Sequence, residues 1–268
     1  MDRYAVIGHP VAHSRSPQIH AQFAQQTGQA LSYDAVEVET DVLPAALQEL
    51  HAQHFRGLNV TLPHKVAVMA LCEQVSERAQ LAGAVNTLLR TDSGWQGDNT
   101  DGEGLLRDLQ RLGYTVKGQR VLIIGAGGAV RGILGPLLAE QPQELVVSNR
   151  NPWKPEALAE QFKAAGAIRP CTHIALKGDR YDLIIHATSA GHAGAFPRLP
   201  GPLLADGGAC YDLSYGKAFE PFRAWAQAQG ATRIADGLGM LVEQAAAAFE
   251  RWRGVRPQTQ AVIDRLRA

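Results

Sequence analysis

Two hydrophobic rhythms alternate along this chain. Near the N-terminus "YAVIG" is a short apolar run, and "SPQIHAQFAQQTG" repeats its apolar residues at helical spacing. Ser16 stands as a cap at the start of that second stretch, with Pro17 in the first turn and Gly28 after the end, which predicts a helix. "YDAVEVE" predicts a strand, "DVLPAALQELHA" a helix, and "GLNVTL" and "AVNTLLR" two further strands. In "GLNVTLPHK", Leu58, Val60 and Leu62 alternate with Asn59, Thr61 and Pro63. That pattern predicts a strand with one apolar and one polar face, ended by Pro63, where the next helix starts and carries Lys65.

From Arg120 the texture changes. "RVLIIGAGGAVRGILGPLLAE" is an apolar strand, a glycine-rich turn and an apolar-periodic helix. "ELVVSNR", "YDLIIHATS" and "GACYDLSY" follow as strands with helices between them. Continuous apolar strands alternating with helices predict a parallel sheet covered on both faces. The Ala-rich "GLGMLVEQAAAAFERW" and the final "PQTQAVIDRLRA" are helices that need a surface to pack on, and the expectation is that they return to the first region. The fold class predicted is α/β with two domains. A substrate (catalytic) domain spans 1–101 and is completed by 237–268. A Rossmann-type nucleotide-binding domain spans 102–236.

Composition narrows the function classes. The 268 residues suffice for two cores, and 46% hydrophobic against 19% charged is ordinary globular composition. Lys+Arg and Asp+Glu both number 26, so no bulk charge points to nucleic acid or a membrane surface. Cys72, Cys171 and Cys210 are far apart and form no metal spacing, so they are expected to be reduced and no metal site is predicted. With no secretory pattern and no long apolar run, a cytoplasmic protein is expected.

Candidate chemistry gathers in two places. In "IIGAGGAVRG", Gly125 allows a tight turn and Gly127 lets the backbone approach a pyrophosphate at a helix N-terminus, with Gly128 and Ala129 as further small residues. The next strand ends in "SNRNPWK" without the acid that would bind a ribose 2′-hydroxyl. Asn149, Arg150 and Lys154 suit a 2′-phosphate instead, which predicts NADP over NAD. In the first region, Ser14 and Ser16 put two hydroxyls at a helix start, an arrangement that suits a carboxylate. Asn59, Thr61, Lys65, Asn86 and Asp101 add amide, hydroxyl, ammonium and carboxylate groups at strand ends and a helix start. Together they suit a small polyol acid.

"AHSRSPQIH", "GLNVTLPHK", "LAGAVNTL", "GDNTDGEGLL", "IIGAGGAVRG", "SNR", "ATSAG", "YDLSYG" and "ADGLGMLVEQAA" occur in this order, and the chain resembles the shikimate dehydrogenase family over essentially its whole length. The resemblance implies NADPH-dependent reduction of 3-dehydroshikimate to shikimate, in the route to aromatic amino acids, in a cleft between the domains. It makes Ser14 and Ser16 the carboxylate pair. It makes Thr61, Asn86, Asp101, Tyr215 and Gln244 further substrate contacts, with Asn59 beside them. Lys65 matches the catalytic lysine and Asp101 its partner. Gly125, Ala126, Gly127, Gly128, Ala129, Asn149, Arg150, Lys154, Leu213 and Gly237 match cofactor contacts, and Glu77 an acid near the nicotinamide. Asn151 stands where the family often has Thr, and Leu213 where it often has Met. The rival expectations are a quinate/shikimate dehydrogenase with relaxed cofactor use and a non-catalytic NADP-binding sensor. The protein is expected to be a monomer or homodimer.

Overall fold

The computed structural model describes residues 1–268. The chain divides into two units, Met1–Gly104 with Leu241–Ala268, and Leu105–Met240.

The first unit is built on strands β1 (Asp2–Gly8), β2 (Leu31–Glu37), β3 (Phe55–Val60), β4 (Gln74–Val75), β5 (Thr87–Arg90) and β6 (Trp95–Asp98), in the order β2-β1-β3-β5-β6-β4. β1 pairs parallel with β2 and β3, and β4 with β6, whereas β5 runs antiparallel to β3 and β6, so the sheet is mixed. Helix α2 (Leu43–Ala52) covers one face with Leu43, Leu47 and Leu50. On helix α1 (Ser16–Thr27), Ile19 and Phe23 join Val242, Ala246 and Phe249 of helix α8 (Leu238–Arg253) and Ile263 of helix α9 (Gln260–Arg267). The Ala-rich helix therefore packs through its small residues, which let it lie close to its neighbours. Gly57 marks one close approach of the strand to this helix. A Cβ there would sit 2.3 Å from the Trp252 indole nitrogen, which donates to the Leu88 carbonyl at 3.0 Å.

Two sequence expectations for "GLNVTLPHK" change here. The strand is buried on both faces, with Leu58 at 0%, Asn59 at 6% and Val60 at 2% exposure. Leu62 lies beyond its end and is 66% exposed, so it anchors nothing. No helix starts at Pro63 either. Residues 62–66 form a turn, and a short 3-10 helix follows at Ala67–Leu71, so Lys65 sits on the turn. The reason lies in the backbone bonding. The Lys65 carbonyl accepts from Val85 N–H at 2.8 Å, and the Thr61 N–H donates to Ile7, which ties the turn to the strands instead of a helix. Ser16 is likewise the first helical residue and not the cap. The cap position falls on Arg15, and the Ser14 hydroxyl accepts from the Ser16 N–H at 3.2 Å.

The second unit holds strands β7 (Arg120–Ile124), β8 (Glu144–Ser148), β9 (Arg169–Cys171), β10 (Tyr181–His186), β11 (Leu204–Asp212) and β12 (Arg233–Ala235), ordered β12-β11-β10-β7-β8-β9 and parallel throughout. Counted from β7, this is the 3-2-1-4-5-6 order of a Rossmann-type sheet, whose switch point falls between β7 and β10. The expected continuous burial holds, with Val121, Leu122, Ile123 and Ile124 all at 0% exposure. Helices α5 (Gly128–Ala139), α6 (Trp153–Phe162) and α7 (Glu220–Ala228) supply the cover. The remaining helices, α3 (Glu77–Ala82) and α4 (Asp101–Arg111), lie in the first unit and across the boundary.

Candidate active site

Lys65 and Asp101 meet. The Lys65 ammonium donates to the Asp101 carboxylate at 2.6 Å, with the lysine side chain 18% exposed and the aspartate 8%. The other Asp101 oxygen accepts from the Asn86 amide at 2.8 Å, and the Asp101 N–H donates to Asn99 at 3.0 Å. The Asn86 amide also donates to the Thr100 hydroxyl at 2.9 Å and to Gln244 at 3.3 Å. The Asn86 oxygen in turn accepts from the Thr100 N–H at 2.8 Å. Lys65, Asn86, Asp101 and Gln244, distant in sequence, thus form one network. An ammonium held against a carboxylate with its tip still reachable can stabilise a developing alkoxide and give it a proton.

Ser14 and Ser16 stand at the start of α1, half-buried and buried respectively. They connect to the rest through a residue that sequence reasoning treated only as part of a strand. The Tyr33 hydroxyl donates to the Asn59 oxygen at 2.7 Å, and Ser16 also bonds to that hydroxyl. Asn59 then donates to the Asn86 carbonyl and the Thr87 hydroxyl, both at 3.3 Å. Its oxygen and its amide nitrogen are therefore both engaged within the protein. His20 stacks on Tyr33 with centroids 4.1 Å apart and a 4° tilt. Burial holds its pKa down at about 3, with the nearby Asn59 amide working weakly the other way, so the ring is neutral.

The glycine turn lies at the end of β7. Gly125 has φ +119°, and a Cβ there would come within 2.7 Å of the Ala187 carbonyl, so the tight turn needs glycine. Above Gly127 and Gly128, a Cβ would meet nothing within 4 Å. Gly127 to Ala129 are exposed, and no side chain caps the start of α5. An open, uncapped helix start fits a pyrophosphate. At the end of β8, Arg150 and Lys154 are exposed, and residues 149–154 contain no carboxylate to oppose a phosphate. The donor set suits NADP.

Known proteins resemble this chain along most of its length. Family models described as the shikimate dehydrogenase substrate binding domain, shikimate/quinate 5-dehydrogenase and the shikimate 5′-dehydrogenase C-terminal domain match residues 6–88, 108–194 and 237–267. A shikimate dehydrogenase (NADP(+)) of Methylococcus capsulatus is 52% identical over 100% of this chain and 96% of its own. This chain belongs to the shikimate dehydrogenase family. Another relative of the same name, from Aeromonas hydrophila, is 50% identical over 100% of this chain and 98% of its own. Among solved structures, an Ael1 enzyme from Pseudomonas putida superposes with a TM-score of 0.93 at 45% identity, covering 99% of this chain and 98% of that one. A Thermus thermophilus shikimate 5-dehydrogenase in complex with NADP(H) and shikimate gives 0.87 at 37% identity, covering 100% and 99%.

The other residues expected from the shikimate dehydrogenase pattern are placed as follows. Thr61 follows β3, partly exposed. Glu77 is exposed in the first turn of α3. Tyr215 belongs to the second unit and precedes a 3-10 turn at Gly216–Phe219. Leu213 N–H donates to the His186 carbonyl at 2.9 Å, and a Cβ on Gly237 would lie 2.2 Å from the Leu213 carbonyl, so those two backbones touch. Asn151 uses its side-chain oxygen on the Trp153 N–H at 3.1 Å, starting α6, and its carbonyl accepts from the Asn149 amide at 3.1 Å. Tyr33, Thr87, Asn99 and Thr100 hold site residues in place without having been singled out. Asn99 and Thr100 adjoin Asp101 in "GDNTDG", so the density of polar residues ahead of a helix was the available signal. For Tyr33 there was none beyond a strand position.

Proposed function

We propose that this protein catalyses the reversible NADPH-dependent reduction of 3-dehydroshikimate to shikimate, a step of aromatic amino acid biosynthesis, in the cytoplasm. The observation that carries the reading is the 2.6 Å contact between Lys65 and Asp101, inside a network with Asn86 and Gln244, in a member of the shikimate dehydrogenase family. Ser14 and Ser16 take the substrate carboxylate at the start of α1. Thr61, Asn86, Asp101, Gln244 and Tyr215 bind its hydroxyls, and Asn59 braces Asn86. The open glycine turn from Gly125 to Ala129 takes the pyrophosphate. Asn149, Arg150 and Lys154 take the 2′-phosphate, while Leu213 and Gly237 line the nicotinamide, with Glu77 nearby. The surface offers no excess charge for nucleic acid, and no helix is long and apolar enough to cross a membrane. The protein acts as a monomer or homodimer.

When bound, the cofactor would supply the hydride that reduces the C3 carbonyl. The protein manages the resulting negative charge. Lys65, as ammonium, stabilises the oxygen and donates its proton, and the resulting neutral amine recovers a proton from solvent. In the reverse direction the neutral amine takes the hydroxyl proton. Asp101 holds the lysine and, through Asn86, fixes its own orientation. Purified protein mixed with 3-dehydroshikimate should oxidise NADPH much faster than NADH, and should oxidise quinate with NADP poorly. Absence of NADPH turnover would sink the enzyme reading in favour of a sensor. Comparable turnover of quinate would move the protein to the quinate/shikimate class.

A further inference from the structure

The end of β9 carries a group that the proposed function leaves unused. The ring of His173, which opens a 3-10 turn at His173–Leu176, lies 2.8 Å through Nδ1 from the Ser148 hydroxyl at the end of β8. Ser148 is fully buried, so water cannot compete for that bond, and it fixes the ring in one orientation. Backbone pairing holds the two strand ends together. Ser148 lies opposite Cys171, and the Asn149 N–H donates to the Cys171 carbonyl at 3.1 Å. The His173 ring therefore stands beside Asn149 and Arg150 on the carboxyl ends of parallel strands, where a Rossmann-type sheet binds its ligand. Its Nε2 has no protein partner and is not sealed from solvent.

We propose that His173 is a further contact for the adenosine 2′-phosphate of the cofactor, and that its ring takes up a proton from solvent as that phosphate docks. The inference rests on the reading that the Asn149–Arg150 loop holds this phosphate. With Nδ1 tied to Ser148, Nε2–H is the free donor, and the protonated ring adds a charge to that hydrogen bond.

The surroundings explain why the proton arrives with the ligand. In the free protein, half-burial and then the Arg150 guanidinium hold the His173 pKa below its ordinary value. The neighbouring titratable groups are Arg150 on the β8 loop and the Cys171 thiol on β9, which is itself pushed up by burial and leaned on by Ser148. No carboxylate acts on the ring. Glu144 and Asp179, whose charges reach the Cys171 thiol, are bound by Arg169 at the opposite end of β9. With Arg150 beside it and no acid between them, the ring is disfavoured as a cation until a dianion arrives, and a phosphomonoester is one.

Calorimetric titration of the whole protein with NADP+ near pH 7, in two buffers of different ionisation heat, tests this. His173→Gln should take up on the order of half a proton fewer than the unaltered protein and bind NADP+ about 3- to 10-fold more weakly, with NAD+ affinity unchanged. The phosphate's own titration is common to both proteins and cancels. Equal proton uptake and equal NADP+ affinity would overturn the assignment. Arg150→Ala separates the two readings. If it leaves NADP+ affinity intact, the phosphate loop itself is wrong and the inference falls with it. If it weakens NADP+ while His173→Gln does not, only His173 is wrong. Should the variant fold poorly, the ring resonance of His173 in the unaltered protein gives an independent answer. Its midpoint should rise on adding NADP+ and not on adding NAD+, and an unmoved midpoint overturns the proposal.

Discussion

A lone lysine on a turn is ordinarily a solvated surface charge, and three contacts make Lys65 otherwise. Its ammonium is held at 2.6 Å by Asp101, its carbonyl by Val85 N–H, and Asp101 by Asn86. Since the proton is needed only as the carbonyl oxygen becomes an alkoxide, Lys65→Ala should lower kcat by about 10²–10⁴-fold with little change in KM. Steady-state kinetics with 3-dehydroshikimate checks this, and a proportionate rise in KM would move the lysine to substrate binding. Lys65 and Asp101 were legible as chemistry because a cation and an acid recur in motifs with amides and hydroxyls. The engagement of Asn59 was not, because alternation in a strand shows which face a side chain takes and not what it meets there. Its partners, Tyr33 on β2 and Thr87 on β5, come from strands paired by tertiary folding.

At the scale of elements, the parallel sheet of the second unit was the easiest to read. Strands covered on both faces become unbroken apolar runs, and "VLII", "LVV" and "LII" all are. The turn carrying Lys65 was misread as a helix because Pro63 is equally at home in a turn and in a first helical turn, and the bonds that decide between them come from Ile7 and Val85. Gly57 shows how closely one element can depend on another. Gly57→Ala would drive a methyl into the Trp252 indole and dislodge its bond to the Leu88 carbonyl. Unfolding in urea should show a loss of about 2–4 kcal/mol, from overpacking plus a stranded acceptor. Adding Trp252→Ala should make the double variant less unstable than the two single losses would sum to. Additive losses would mean the two residues do not press on each other.

For the whole molecule, acid should act in two stages. His20 is buried with a folded pKa of about 3 against 6.5 for an exposed ring. The unfolded chain thus binds a proton that the folded chain refuses. This stability is complete above about pH 6.5 and is lost as pH falls toward 3. Between pH 6 and 4 the slope from this one group approaches about 1.4 kcal/mol per pH unit. Asp98 acts lower. Burial alone would raise its pKa, but bonds from Arg78 and Ser76 and the charge of Arg251 hold it at about 2 against 3.8. Its contribution is present above pH 3.8 and disappears as pH falls through 2. Denaturant midpoints of His20→Phe should therefore change less between pH 7 and 5 than those of the unaltered protein. The decline below pH 4 should remain. Equal pH dependence in the two proteins would show that His20 titrates normally.

The division of the chain also sets an order of events during synthesis. Residues 105–240 are continuous and hold all six strands of their sheet, whereas the earlier unit needs Leu241–Ala268, which are made after them. Domains of nascent chains usually fold from the N-terminus onward. Here the second unit can complete itself while the first still lacks Val242, Ala246, Phe249 and Ile263 from its core. Ribosome-bound chains arrested once residue 240 has emerged should resist protease across 105–240 and be cut freely within the first hundred residues. Protection of both stretches at that length would show that α8 and α9 are dispensable for the first sheet.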